Sequence, residues 1–178
     1  MKRNYLDYIE SYADFPKAGV IFWDFTPLCD NPEVFTDAIE DISSYFKGRG
    51  INKIVAIEAK GFIIGGALAL KMGLPLNLIR KPNLIPGAIE TKEFVKEYGQ
   101  AEYQIKRGAI KVEEKVLIIY DILAAPGALL AAKELVERSG GQVVGAAVVI
   151  ELEYLMAGEK LLGLDVFSLV KIKDKKLK

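Results

Sequence analysis

The sequence predicts an α/β protein in which helices cover both faces of a parallel sheet. Two observations carry this expectation. Apolar runs such as I-V-A-I (54–57), V-L-I-I (116–119) and Q-V-V-G-A-A-V-V-I (142–150) are continuous rather than alternating, as in strands buried on both faces. Helix-like segments that stop at glycine separate these runs, giving strand–helix alternation. A chain of 178 residues suffices for one domain with a substantial core, and no linker, repeat or low-complexity stretch divides it. A single domain over residues 1–178 is therefore expected.

The elements follow in order. Residues 4–12 read as a short amphipathic helix. In A-D-F-P-K-A-G-V-I-F-W-D-F-T-P-L (13–28), Pro16, Gly19 and Pro27 exclude a long helix. That stretch carries Phe15, Phe22, Trp23 and Phe25. It reads either as a strand and loop over a core edge or as a platform on which a flat heterocycle stacks. It is expected to cover the carboxyl ends of the strands. Asp30 or Asn31 caps a helix with Pro32 in first position, running to about Phe46 and stopping at Gly48 or Gly50. Strand 54–57 leads through E-A-K-G-F into a helix over 62–72, where Gly65, Gly66 and Ala67 permit close packing. Gly73 ends it, and strand 74–79 follows. Residues 82–99 are irregular and polar, which marks a lid or a disordered segment. Small strands are expected at 102–105 and 109–112. Strand 116–119, Asp121, a loop with Pro126 and Gly127, and a helix to about Ser139 come next. Gly140 and Gly141 stop that helix. Strand 142–150 ends at Glu151, a short helix over 153–156 ends at Gly158, and the last strand spans 165–170.

Composition excludes several functions. The 24 basic and 24 acidic residues cancel, so neither nucleic acid nor an anionic membrane attracts the chain in general. The basic K-I-K-D-K-K-L-K end reads as a solvated tail. Cys29 is the one cysteine, so no internal disulfide forms, which fits a reducing compartment. With no histidine, Ser–His–Asp and Cys–His chemistry and histidine-based metal sites are excluded. The N-terminal M-K-R-N-Y-L-D-Y does not read as a secretory leader, and the apolar runs break before membrane-spanning length. A cytoplasmic location is expected. Residues 116–133 set a strand, a turn and a helix in series, an arrangement that places a ligand at the strand's carboxyl end and an anion at the helix start.

Four segments together carry a resemblance: D-F-P-K-A-G-V-I-F-W-D-F-T-P-L (14–28), I-E-A-K-G-F-I-I-G-G-A-L-A (57–69), L-I-R-K (78–81) with E-Y-G (97–99), and residues 116–128. I-E-L-E-Y-L-M-A-G-E-K-L (150–161) adds to them. In this order and spacing they resemble the adenine phosphoribosyltransferase family. The resemblance implies a type I phosphoribosyltransferase-like fold: about five parallel strands flanked by helices, a small N-terminal hood (about 1–30) and a lid (about 82–108). It implies transfer of ribose 5-phosphate from phosphoribosyl pyrophosphate (PRPP) to N9 of adenine, giving AMP and pyrophosphate. Mg²⁺ would be bound through PRPP or pyrophosphate, with no metal site of the protein's own. The implied partners are a purine base or nucleotide and a second copy of the chain.

By position, Phe22 matches the aromatic that stacks on the purine. Ile21 and Trp23 match residues whose backbone reads adenine's edge. Glu58, Ala59, Lys60 and Gly61 match the pyrophosphate loop, with Arg80 and Lys81 beside the phosphates. Glu97 matches the lid glutamate that handles the purine's proton, with Tyr98 next to it. Tyr120, Asp121, Ala124, Ala125, Pro126, Gly127 and Ala128 span the PRPP loop.

That loop departs from the family's pattern of two acids, two apolar residues and Ala-Thr-Gly-Gly-Thr. Tyr120 replaces the first acid, while Asp121 keeps the second. Ala125 and Ala128 replace both threonines, and Pro126 replaces a glycine and has no N–H to donate. Lys60 stands for an arginine, keeping charge without the two-pronged geometry. In Pro82-Asn83-Leu84-Ile85-Pro86 the lysine of the family's Arg-Gly-Lys-Leu-Pro is apolar. The lost donors and carboxylate sum to roughly 6–10 kcal/mol, a non-additive ceiling. Half of that is about two to three powers of ten in affinity or rate. Two readings follow: an adenine phosphoribosyltransferase with an altered loop, or a non-catalytic purine- or nucleotide-binding member, a regulator or dimer partner, that has lost PRPP binding.

Overall fold

The computed structural model describes residues 3–95, 100–161 and 163–175. Its centre is a five-stranded sheet, ordered β4 (Leu76–Ile79), β3 (Lys53–Ile57), β7 (Lys115–Leu123), β8 (Gln142–Leu152) and β9 (Val166–Ile172). Every neighbouring pair is parallel. β3 is buried at every position, and Val116 to Ile119 of β7 are fully buried, which accounts for their unbroken apolar runs.

Two hydrophobic layers sandwich the sheet. On one face α2 (Pro32–Tyr45) and α3 (Gly61–Met72) pack with Phe25, Leu28 and Ile42 around Ile54, Leu117 and Ile119. On the other, α4 (Gly127–Arg138) packs Leu129, Ala132 and Leu135 against Val55, Ile118 and Val148. Each such side chain contributes roughly 1.5–3 kcal/mol through burial. Asn31 caps α2 by accepting from the Val34 N–H at 3.1 Å, and Gly73 ends α3 in the left-handed region with φ 64°. Gly65 is required by packing, since a Cβ there would lie 2.5 Å from the Ala56 Cβ; at Gly66 nothing lies within 4 Å.

The N-terminal addition is a hairpin. β1 (Glu10–Ala13) pairs antiparallel with β2 (Ile21–Asp24), followed by the four-residue α1 (Thr26–Cys29). The helix expected over 4–12 is only a single 3-10 turn, Tyr5–Tyr8, because the chain beyond it satisfies its backbone on β2. Ala109–Val112 is a turn rather than a strand, and it covers a buried ammonium: Lys53 Nζ donates to the Ala109 carbonyl at 2.9 Å and pairs with Glu114 at 2.8 Å. The segment expected to be irregular contains β5 (Ile89–Val95), antiparallel to β6 (Gln100–Lys106). β5 lacks an apolar run because charges dock it on α4: Lys92 pairs with Glu134 at 2.6 Å, and Arg138 donates to the Thr91 carbonyl at 3.2 Å. The helix expected over 153–156 is a 3-10 turn, Glu153–Leu155, and Gly158 opens a second one, Gly158–Lys160, rather than ending the first. Among the described residues no helix is long and apolar enough to cross a membrane.

Candidate active site

The carboxyl ends of β3, β4 and β7 meet under the N-terminal hairpin. Parallel register sets Ala56 beside Ile119 and Ile57 beside Ile79, so the loops leaving these strands emerge together. α3 begins hard against β7, with a Cβ at Gly61 falling 3.0 Å from the Ile119 carbonyl oxygen.

Glu58, directly after β3, organises one side. It accepts from Arg80 Nε at 3.2 Å, from Arg80 Nη2 at 3.4 Å and from the Lys81 N–H at 2.9 Å. Burial pushes its carboxyl upward, but the Lys81 N–H and the Arg80 guanidinium outweigh that and hold it below the ordinary value. The Glu58–Ala59 peptide is cis, and Ala59 is exposed. Arg80 lies over the Phe62 ring at 5.9 Å, and its backbone bridges to Gln104 of β6. A cleft of about 400 Å³ opens beside Lys81, lined also by Pro82, Glu93, Gln100, Ala101 and Glu102.

Lys60 turns toward the hairpin. Its Nζ lies 2.8 Å from Asp24 Oδ1, 4.6 Å from the Phe22 ring centroid and 5.5 Å from that of Phe25. Asp24 also accepts from Thr26, through N–H at 3.2 Å and hydroxyl at 2.6 Å. Burial raises the Asp24 carboxyl, yet Lys60 and Thr26 hold it below its usual value. The Phe15 ring packs edge-on to Phe22 at 5.2 Å. Ile21 and Phe22 are half-buried, while Trp23 points into the core and offers the site only its backbone.

The end of β7 and the loop after it are of a different kind. Tyr120 hydrogen-bonds Tyr103 of β6, and burial drives both phenols upward, Tyr103 to about 12. Asp121 is raised by burial, opposed by its own and the Ile122 N–H and by the charges of Lys60 and Lys81. Ala124, Ala125, Pro126 and Gly127 are half-buried and carry no hydroxyl, and the Ala128 side chain lies in the core rather than in the loop's mouth. Pro126 sits at the α4 N-cap without a side-chain cap. Over the helix start lies the end of β5: a Cβ at Gly127 would fall 2.3 Å from the Val95 carbonyl oxygen. Only glycine fits there.

The structure thus gathers Phe22, Glu58, Lys60, Arg80, Lys81, Tyr120 and Asp121 at one edge of the sheet. Glu97 and Tyr98 lie outside the described residues. Sequence reasoning missed Asp24, which tethers Lys60, and Tyr103, which engages Tyr120. The first sits within the D-F-T-P-L motif; the second has no local signal. Among the described residues no group of three or more His, Cys, Asp or Glu side chains is arranged to hold a metal ion.

Comparison with known proteins bears on the fold and the family. A sequence model of the phosphoribosyl transferase domain matches residues 28–174. The adenine phosphoribosyltransferase of Thermosipho melanesiensis is 45% identical over 163 residues, covering 92% of this chain and 93% of that protein. That of Idiomarina loihiensis is 43% identical, with 87% and 88% covered. Among solved structures, the adenine phosphoribosyltransferase of Thermoanaerobacter pseudethanolicus superposes with a TM-score of 0.91 at 34% identity, covering 94% of this chain and 98% of that one. The enzyme of Giardia lamblia complexed with 9-deazaadenine superposes with a TM-score of 0.91 at 28% identity, covering 96% and 97%. With its five-stranded parallel sheet, its N-terminal hairpin and this near full-length similarity, the chain belongs to the adenine phosphoribosyltransferase family of phosphoribosyl transferase domain proteins.

Proposed function

We propose that the chain transfers ribose 5-phosphate from PRPP to N9 of adenine, giving AMP and pyrophosphate. The observation that carries this reading is the contact between a base platform and an anion loop: Lys60 Nζ stands 4.6 Å above the Phe22 ring. Adenine stacks on Phe22, its edge read by the backbone of Ile21 and Trp23. Lys60, Arg80 and Lys81 hold pyrophosphate around the loop that begins at Glu58. Asp121, at the end of β7, stabilises the cationic, oxocarbenium-like sugar. Glu97 handles the purine's proton, and the β5–β6 lid keeps water from PRPP. Mg²⁺ would arrive as the complex of PRPP or pyrophosphate and would neutralise phosphate charge when bound. At the loop over 124–128, the backbone N–H groups of the first turn of α4 remain to meet the 5′-phosphate. We place the protein in the cytoplasm and read 1–178 as one domain.

The test is incubation with labelled adenine, PRPP and Mg²⁺. AMP formation is expected, with a high KM for PRPP. No turnover with adenine, hypoxanthine or guanine contradicts the reading.

A second reading is binding of a purine or nucleotide without transfer. The Val95 carbonyl lies close to Gly127, and Tyr120 is engaged by Tyr103, on either side of the loop that this reading leaves without PRPP. In calorimetry, adenine or AMP binding without PRPP binding would support it.

The partner we propose is a second copy. Ile63 and Leu70 share one face of α3, and Leu76 and Leu78 share one face of the edge strand β4; all are exposed, Leu70 to 86%. Light scattering should show a dimer. Leu70→Glu with Leu78→Glu should give a monomer, and an unchanged mass would exclude this face.

A further inference from the structure

We propose that Lys60 is a shared occupant of two subsites, so that anion binding opens the purine platform. This deepens the reading given above and rests on it, since it takes Phe22 as the base platform and the Glu58–Gly61 loop as the pyrophosphate site.

The geometry points this way. Lys60 belongs by chain position to the anion loop, between Ala59 and the start of α3. Its ammonium is not held among that loop's groups. It reaches across to the hood, where Asp24 Oδ1 binds it at 2.8 Å and the rings of Phe22 and Phe25 lie 4.6 and 5.5 Å away. Phe15 already packs edge-on against Phe22. An aromatic ring binds a cation or a stacked heterocycle on the same π-face, and one ammonium excludes the other ligand from it. The opposing groups are unequal. Asp24 is a carboxylate bound by two further donors from Thr26, so it retains hydrogen bonds when Lys60 leaves. A pyrophosphate in the loop offers Lys60 several negative oxygens. Lys60 then swings from hood to loop, and the face of Phe22 is freed for the base.

The long, single-headed lysine side chain suits this exchange. Its four-carbon stem reaches both positions, and its point charge needs no fixed fork. Arg80, by contrast, is fastened by Glu58 through two nitrogens, whereas the Lys60 ammonium is tethered to the hood and not to the loop it belongs to. Coupling of this kind is reciprocal: adenine must favour pyrophosphate by the same factor by which pyrophosphate favours adenine.

The experiment is calorimetric titration of adenine into the full chain, with and without saturating pyrophosphate and Mg²⁺, for the wild type, Lys60→Met and Lys60→Arg. In the wild type, pyrophosphate should tighten adenine binding by on the order of fivefold. Lys60→Met should bind adenine alone more tightly than the wild type by a similar factor, because its uncharged side chain is not held by Asp24 over Phe22. A merely lost anion contact would not raise adenine affinity. Lys60→Arg should restore the weaker binding of adenine alone, because its guanidinium can still pair with Asp24 over Phe22. Equal or weaker adenine binding by a folded Lys60→Met, or no effect of pyrophosphate on the wild type, overturns the proposal while leaving the base site intact. Failure of all three proteins to bind adenine overturns the base-site assignment itself, and this proposal with it.

Discussion

Two loops at the same edge of the sheet are suited to anions, and they are built from opposite materials. The loop after β3 is charged and cross-linked: Glu58 holds Arg80 and the Lys81 N–H, and Lys60 reaches Asp24 in the hood. The loop after β7 has the same strand–turn–helix geometry but carries alanine and proline where donors would stand. Beside it, Tyr120 of β7 meets the Tyr103 phenol, and the Val95 carbonyl of β5 lies against Gly127. Backbone shape and functional chemistry are therefore separable. A helix start offers anions only fractions of a charge, about 0.3–1 kcal/mol at an exposed site. Side-chain hydroxyls and carboxylates supply most of what makes such a start selective.

The largest test of this contrast rebuilds the second loop. Tyr120→Asp with Ala125→Thr and Pro126→Gly should raise PRPP affinity by about two powers of ten, measured by calorimetry. No gain would show that the scaffold, and not its donors, limits the site. A smaller effect separates the hood from the anion loop. Phe22→Ala should weaken adenine binding by about tenfold, from the stacking energy of one base, while pyrophosphate affinity does not fall. An equal loss for both ligands would mean that Phe22 acts by holding the loop in shape.

The smallest expected effect is on acid stability. Glu58 and Asp24 both titrate below their ordinary values in the folded state. Their contribution is fully present above the unfolded carboxylate value, about 4, and is lost as pH falls through the lower folded values. Asp121 is shifted upward, so its protonation acts in the opposite sense. A series of Tm values from pH 7 downward should drop below about pH 4, and less steeply for Glu58→Gln. Parallel curves would remove Glu58 from the acid response.

The buried sheet was legible in the sequence because continuous apolar strands and glycine stops leave few alternatives. Asn31, Pro32 and Gly73 marked helix ends by local chemistry alone, and the structure has them there. β5 was not legible. Its residues I-E-T-K-E-F-V are mostly half-exposed, and they form a strand because Lys92 and Thr91 find partners on α4, 40 and more positions away. The candidate site divides in the same way. Local motifs marked Phe22, Glu58 and Lys60. The Asp24–Lys60 and Tyr103–Tyr120 contacts join distant segments, and no spacing in the chain announces them.

The most direct measurement compares the two loops in one unmodified protein. Calorimetry should be run in parallel with pyrophosphate and with ribose 5-phosphate, both in Mg²⁺. A charged first loop and a donor-poor second one predict clearly tighter binding of pyrophosphate, by at least about tenfold. Equal or tighter binding of ribose 5-phosphate would contradict the contrast, and would mean that the apolar loop holds phosphate as well as the charged one.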